Sequence, residues 1–232
     1  EGMVIQEQGW ATPSYVKPYK NKNELNRIDF GNFNKLDTET LNCLLSLLEK
    51  KLQDQDIVII SQQIVGSLFV DEFIEKMLIL INKFCDTLFI VDSRHNSEDF
   101  PSAILKLNDF TAESMVGNTP SKGDGITREN AIKTAKTLCK KFKKTIFITR
   151  GINGCILVDE GVIKEIPSIK ITGKIDTVGA GDSMLAGICI GLVSGQDAYN
   201  SACLGTLAAA VTIQKLYQTG TVSPEELLMM AS

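Results

Sequence analysis

The chain changes its hydrophobic rhythm after the first thirty or so residues. Residues 1–29 are polar, with short extended patches such as "PSYVKPY" and "LNRIDF". These read as strands of a hairpin that stands apart from any core. From "LDTETLNCLLSLLEKKLQ" (36–53) the period becomes helical, with Leu41, Leu44, Leu45 and Leu48 recurring at three and four. Asp37 or Thr38 can cap that helix. "DIVIIS" (56–61) is then a short continuous β-branched run, the pattern of a strand buried on both faces. "VDEFIEKMLILINKF" (70–84) is helical, "TLFIVDS" (87–93) a second such strand and "SAILKLN" (102–108) a third. "TRENAIKTAKTLCKKFK" (127–143) reads as a helix, "KTIFITRG" (144–151) as a fourth strand, and "GCILVDEG" (154–161) as a strand entering a turn. An apolar helix follows from about Asp182 to 194, and another over "AYNSACLGTLAAAVTIQKL" (198–216). In the tail "SPEELLMM", Ser223 is a cap, Pro224 takes the first helical position and Glu226 completes a capping box. Strand–helix–strand alternation predicts an α/β fold with a mostly parallel sheet and helices on both faces. The runs at 56–61, 87–91, 103–107 and 145–149 are expected to be neighbouring or near-neighbouring strands.

Composition narrows the classes. At 232 residues and 44% hydrophobic content, a sizeable core can be buried. A net charge of −4 gives no reason to expect nucleic acid or an anionic membrane as partner. "MLAGICIGLV" (184–193) is too short to span a bilayer, and "EGMVIQEQGW" lacks the regions of a signal peptide. The six cysteines form no CxxC pair and lie mostly in apolar surroundings, which reads as reduced core residues of a cytoplasmic protein. His95 is the only histidine, which excludes a His-rich metal site and argues against a Ser-His-Asp triad. The lysines of "KTAKTLCKKFKK" read as a solvated helix face.

The chemistry concentrates in "IDTVGAGDSMLAG" (175–187), where Asp176 and Asp182 interrupt small and apolar residues. In open α/β sheets, ligands bind beyond the carboxyl ends of the strands, where helices begin. Glycines let successive backbone N–H groups converge on an anion, and a helix N-terminus adds free donors and partial positive charge. Such a place suits the charge that develops in phosphoryl transfer. Asp182, in the first helical turn, can take a proton from an attacking hydroxyl. The plain alternative is a helix start with Asp182 or Ser183 as an ordinary cap.

"DTVGAGDSMLAG" resembles the second signature of the PfkB/ribokinase family of carbohydrate kinases. In the family's order, "LKLNDFTAE" (105–113) resembles its Asn-x-x-Glu region, "ITRGINGCILV" (148–158) its Thr-x-Gly-x-x-Gly segment and "GTVSPEEL" (220–227) its C-terminal end. From "RIDF" onward the chain is similar to the sugar-phosphate kinase branch that includes the heptose-phosphate kinases. The resemblance implies a ribokinase-like αβα sandwich over 30–232, with residues 1–29 as part of a β lid. In relatives the lid covers the sugar and mediates homodimers. The family's glycine-rich first signature and most of its sugar contacts have no counterpart here, so the fold is expected to be incomplete at the N-terminus.

By the same resemblance Asp182 is the catalytic base, and Gly179, Ala180 and Gly181 form the anion hole. Asn108, Thr149, Gly151, Gly154, Thr177 and Thr206 are implied at the nucleotide. Asp176 and Val178 match a monovalent-cation position, for K⁺. The family's magnesium–phosphate Glu is Thr111 here, and Glu113 can substitute through water. Gly205-Thr206 replaces a common Ala-Asn, and Gln62 and Gln63 stand where relatives often have Asp-Tyr. Arg94, at the end of "FIVDS", is open to two readings: it binds a substrate phosphate, or it pairs with Asp92, Glu98 or Asp99. The expected function is ATP- and Mg²⁺-dependent phosphoryl transfer to a hydroxyl of a sugar or sugar phosphate. The alternative is a truncated or degenerate relative that binds nucleotide or a protein without turnover. A dinucleotide-binding Rossmann protein ranks last, because GxGxxG spacing is missing after the first strand.

Overall fold

The computed structural model describes residues 10–21, 23–31, 34, 36–64, 68–120 and 125–232. Residues 1–9 of the expected lid, and 65–67 of the segment after the first long strand, lie outside the described residues. The chain forms two compact units, one of residues up to Gln55 with Gln62–Thr87, the other of Asp56–Ser61 with Leu88–Ser232.

In the first unit, β1 (Ser14–Val16) pairs antiparallel with β4 (Ile28–Phe30), Tyr15 opposite Asp29. Between them β2 (Tyr19–Lys20) and β3 (Asn23–Glu24) make a short hairpin, with Asn21 in the left-handed region at φ 51°. The hairpin reading of this segment holds over its described residues. Helix α1 (Thr38–Leu52) is capped by Asp37, whose carboxylate accepts the Thr40 N–H at 2.8 Å. It buries Leu41, Leu45 and Leu52. Helix α2 (Asp71–Lys83) buries Phe73, Met77, Leu80 and Ile81. Lys76 reaches Asn42 at 2.5 Å and Lys83 reaches Glu49 at 2.5 Å, which ties the helices together. The contacts therefore group α1 and α2 with the hairpins in one compact unit.

The second unit is built on a six-stranded sheet in the order β10-β9-β8-β7-β6-β5. Its strands are β5 (Ile57–Gln62, through Ser61 in this unit), β6 (Leu88–Ser93), β7 (Ile104–Asn108), β8 (Ile146–Thr149), β9 (Cys155–Asp159) and β10 (Val162–Ile166). β6, β7 and β8 run parallel, and the four apolar runs expected to be neighbours or near-neighbours are neighbours. β9 turns back antiparallel to β8, and β10 pairs with it through a turn at Glu160 and Gly161, both at positive φ. β10 is an element that the sequence pattern does not announce. Its "VIKEI" carries only one fully buried side chain, Ile166.

Strand alternation divides the sheet's two faces. Ile90, Phe147, Cys155 and Leu157 pack against Met184, Leu185, Ile188 and Cys189 of α5 (Ala180–Val193) and Ala202 of α6 (Ala198–Thr212). α3 (Asp109–Met115) follows β7 directly, and α4 (Arg128–Phe142) packs on β8 and β9. A groove of about 980 Å³ beside α4 is lined by Lys133, Lys136, Lys140 and Val158, which fits the solvated basic face expected there. α7 (Pro224–Ala231) carries the expected cap: Ser223 accepts the Glu226 N–H, and the Glu226 carboxylate accepts the Ser223 N–H. The cysteines correct the composition reading. Only Cys155 and Cys189 are buried, whereas Cys43 lies on the exposed side of α1 and Cys85 in the turn after α2.

The α5–α6 contact depends on small residues. A methyl group at Gly187 would lie 2.7 Å from the Gly205 Cα, and one at Gly205 would lie 2.6 Å from the Met184 carbonyl oxygen. At Gly191 it would meet Ser201 at 2.6 Å. Gly187→Ala has to force two backbones apart and is expected to cost about 1–3 kcal/mol. Urea denaturation measures it, and a variant as stable as the native protein contradicts this packing.

Candidate active site

The turn before α5 is fixed from both sides. The Asp176 carboxylate accepts the Val178 N–H at 3.1 Å, and the Asp176 N–H donates to the Ile213 carbonyl at 2.8 Å. Gly179 is the N-cap residue at φ 77°, where a side chain would be strained, and a Cβ there would lie 3.1 Å from Thr219. The Ala180 N–H bonds the Thr177 carbonyl at 3.3 Å, and the Ser183 N–H bonds the Gly179 carbonyl at 2.9 Å. The N–H groups of Gly181 and Asp182 have no acceptor among the described residues, and both residues are exposed. No side chain caps the helix. The plain reading of Asp182 or Ser183 as a cap therefore fails. Ser183 Oγ instead accepts a bond from Thr212 Oγ1 at 2.7 Å. The Asp182 carboxylate makes no bond at all among the described residues.

A residue that the sequence reading passed over stands beside this turn. Lys106, on β7, is 4% exposed, and its Nζ lies 2.5 Å from Asp92 Oδ2 on β6. A methyl group at Gly181 would lie 3.5 Å from the same Nζ. A buried ammonium thus faces the positive end of a helix, with one carboxylate to offset both. The signal in the sequence was a lysine flanked by Leu105 and Leu107 in a strand otherwise apolar up to Asn108. Burial pushes the thiols of Cys155 and Cys189 up to about 12 and about 11, against the pull of the Lys106 charge. These cysteines stay protonated and inert.

At the same end of the sheet, Asn108 and Thr149 are register partners on β7 and β8. Asn108 Oδ1 accepts the Thr111 N–H at 2.7 Å and so caps α3. Thr149 Oγ1 donates to the Leu107 carbonyl at 3.2 Å. Gly151 and Gly154 form the tight turn into β9, both at positive φ. A Cβ at Gly154 would lie 2.1 Å from the Ile166 carbonyl oxygen, so this glycine is needed by the fold itself. Arg150, between Thr149 and Gly151, is buried and donates to the Ile126 carbonyl at 3.1 Å. Thr206 donates back into α6, to the Ala202 carbonyl at 2.9 Å. Thr177 is exposed.

Glu113 is placed elsewhere. Its carboxylate is buried, accepting from Thr134 Oγ1 at 2.6 Å and Asn118 Nδ2 at 2.5 Å. It ties α3 and the turn after it to α4. Burial raises the Asp109 carboxyl above its usual range, with the Phe110 N–H pulling it back. Among the described residues, no group of three histidine, cysteine or acidic side chains could hold a metal ion.

The turn after β6 is rigid. Ser93, buried, accepts the N–H groups of His95 at 3.3 Å and Asn96 at 2.8 Å, while Ser97 Oγ bonds its carbonyl at 2.8 Å. Arg94 is exposed on this turn.

The model of the pfkB family carbohydrate kinases matches residues 21–225, and the chain belongs to that family. The bifunctional protein HldE of Gluconobacter oxydans is 23% identical over 224 residues, covering 97% of this chain and 46% of its own length. The chain thus spans less than half of that relative. The phosphofructokinase-2 of Escherichia coli, in complex with potassium, superposes with a TM-score of 0.68 at 18% identity, over 88% of this chain and 65% of its own. The ribokinase of Arabidopsis thaliana, complexed with ribose and ATP, superposes with a TM-score of 0.68 at 17% identity, over 90% of this chain and 66% of its own. These structures share the ribokinase-like fold.

Glu113 gives a test that separates structure from metal binding. Glu113→Ala leaves Thr134 and Asn118 without their acceptor and should cost about 1–3 kcal/mol of stability. Affinity for Mg²⁺–ATP, measured by calorimetry, should stay within about twofold of the native value, since about 1.4 kcal/mol is needed for a tenfold change. A large loss of nucleotide affinity with stability unchanged would return Glu113 to the metal.

Proposed function

We propose that this chain carries the nucleotide-binding and phosphoryl-transfer part of a sugar or sugar-phosphate kinase. The observation that carries the reading is the α5 N-terminus. Free N–H groups, a buried cation and an unbonded carboxylate meet there in one place. ATP supplies the phosphoryl group. The free N–H groups of Gly181 and Asp182, on the Gly179-Ala180-Gly181 turn, and the Lys106 ammonium bind charge on it. Asp182 takes the proton from the acceptor hydroxyl as that oxygen attacks. Asn108, Thr149 and Gly151, at the ends of β7 and β8, line the nucleotide together with Thr177 and Thr206. Magnesium comes in on the triphosphate and keeps most of its waters, since no cluster of protein ligands is built for it among the described residues. K⁺ is assigned to the turn at Asp176 and Val178, a reading supported by the potassium complex of the related fold.

Two further parts of the reading concern partners and place. Tyr15, Val16, Ile28 and Phe30 of β1 and β4 are all more than 40% exposed, a cluster of apolar side chains suited to a homodimer through the hairpins. The enzyme is assigned to the cytoplasm; no helix among the described residues is long and apolar enough to cross a membrane.

Asp182→Asn keeps the size of the side chain and cannot accept the proton. Turnover should fall about 10²–10⁴-fold with ATP affinity little changed. Near-native kcat would end the claim that Asp182 is the base. Gly181→Ala is a cleaner probe of the anion hole than its position suggests. Gly181 has no strained φ, and the nearest atom to a new methyl is the Lys106 Nζ at 3.5 Å, so the variant has room to fold. Stability should hold, or rise by up to about 1 kcal/mol from helix propensity. ATP affinity should fall because the methyl occupies the phosphate's approach. Unchanged affinity would place the phosphates elsewhere.

A further inference from the structure

We infer that Arg94 holds an anionic group of the acceptor, so that the site selects a phosphorylated sugar over the free sugar. The inference rests on the kinase reading above and adds a residue to it. Three carboxylates near Arg94 in the chain could have neutralised it, and each is engaged elsewhere. Asp92 Oδ2 lies 2.5 Å from Lys106, Glu98 pairs with Lys141 at 3.2 Å, and Asp99 accepts from Asn96 at 2.7 Å. Arg94 itself makes no hydrogen bond or ion pair among the described residues. Its charge is therefore left for a ligand or for water.

Position decides between those two. Strand alternation carries Ile90 and Asp92 along the face of the sheet that packs on α5. Arg94 follows directly, in the exposed bend at the carboxyl end of β6 just past Ser93. Asp92 touches Lys106, and Lys106 lies beside Gly181, so Arg94 stands two residues from the pair that borders the phosphoryl-transfer turn. The turn that carries it is not loose. Ser93 is 2% exposed and takes part in three hydrogen bonds that fix the backbone on either side of Arg94. A side chain on a fixed backbone loses less entropy when it closes on a ligand. A guanidinium matches the oxygens of a phosphate in a two-pronged contact that a lysine cannot copy. The hydroxyls of a free sugar offer it no charge.

The test uses the chain with Mg²⁺ and a non-hydrolysable ATP analogue, titrated calorimetrically with fructose 6-phosphate, ribose 5-phosphate and sedoheptulose 7-phosphate, and with the three free sugars. Arg94→Gln should weaken binding of the best sugar phosphate about 10–100-fold, the usual worth of a charge-assisted bond. Binding of the ATP analogue should be unchanged, and Arg94→Lys should recover part of the loss. Arg128→Gln, which removes an exposed arginine already paired with Glu165, should have no effect. An Arg94→Gln variant that binds the sugar phosphates as well as the native chain overturns the inference. So does an equal loss for free sugars, or a native chain that binds the ATP analogue and none of the sugar phosphates. Failure to bind the ATP analogue at all would overturn the kinase reading, and this inference with it.

Discussion

One buried ammonium shapes the functional end of this sheet. Lys106 sits in the middle of a strand whose neighbours are leucines, where an unpaired charge would cost several kcal/mol. Asp92 on the adjacent strand offsets that charge at 2.5 Å. The N-terminus of α5, itself electropositive, is then set against the same ammonium. This sets a cation beside an electropositive helix end, an arrangement that Asp92 offsets and to which Asp182 in the first turn of α5 adds negative charge. The protein maintains it because α5 is held from elsewhere. Glycines at 187, 191 and 205 lock it to α6, and the Asp176 N–H anchors its leading turn to the end of α6 at Ile213. Packing energy away from the turn thus holds the ammonium and the N-terminus of α5 together.

Two acidic residues show how local bonding separates scaffold from chemistry. Glu113 is buried and accepts two short hydrogen bonds, so it acts as a tie between α3, its following turn and α4. Asp182 is exposed and bonds to nothing among the described residues. A carboxylate that already has partners gains little by meeting a proton or a metal. One without partners, beside free N–H donors, is available for both binding and proton transfer. The same contrast applies to the threonines. Thr149 and Thr206 spend their hydroxyl protons on backbone carbonyls, which leaves those oxygens able to accept a hydrogen bond but not to donate one.

The parallel strands were legible because continuous β-branched runs have few other uses, and the caps at Asp37 and Ser223 because their spacing is local chemistry. Other features lay outside any local pattern. Helix α3 is seven residues long, too short to show a helical period, and β10 is a mostly exposed edge strand. The grouping of α1 and α2 with the hairpins depends on which contacts the helices make, which no local pattern announces. The glycines before Asp182 announce a turn into a helix, yet the placing of Lys106 beside it needed the register of β6 and β7 and the approach of α5. Cys43 and Cys85 misled for a related reason. Apolar neighbours in sequence lie on other faces of the helix or turn, so local apolarity does not imply burial.

The central claim is that the triphosphate sits on the α5 turn beside Lys106. A crystal structure of the chain with Mg²⁺ and a non-hydrolysable ATP analogue tests it most directly. The account predicts the terminal phosphate within hydrogen-bonding distance of the Gly181 and Asp182 N–H groups, with the Lys106 Nζ alongside and the Asp182 carboxylate facing the transferred group. A triphosphate bound instead in the lysine-lined groove beside α4, with the α5 turn left in contact with water alone, would contradict it.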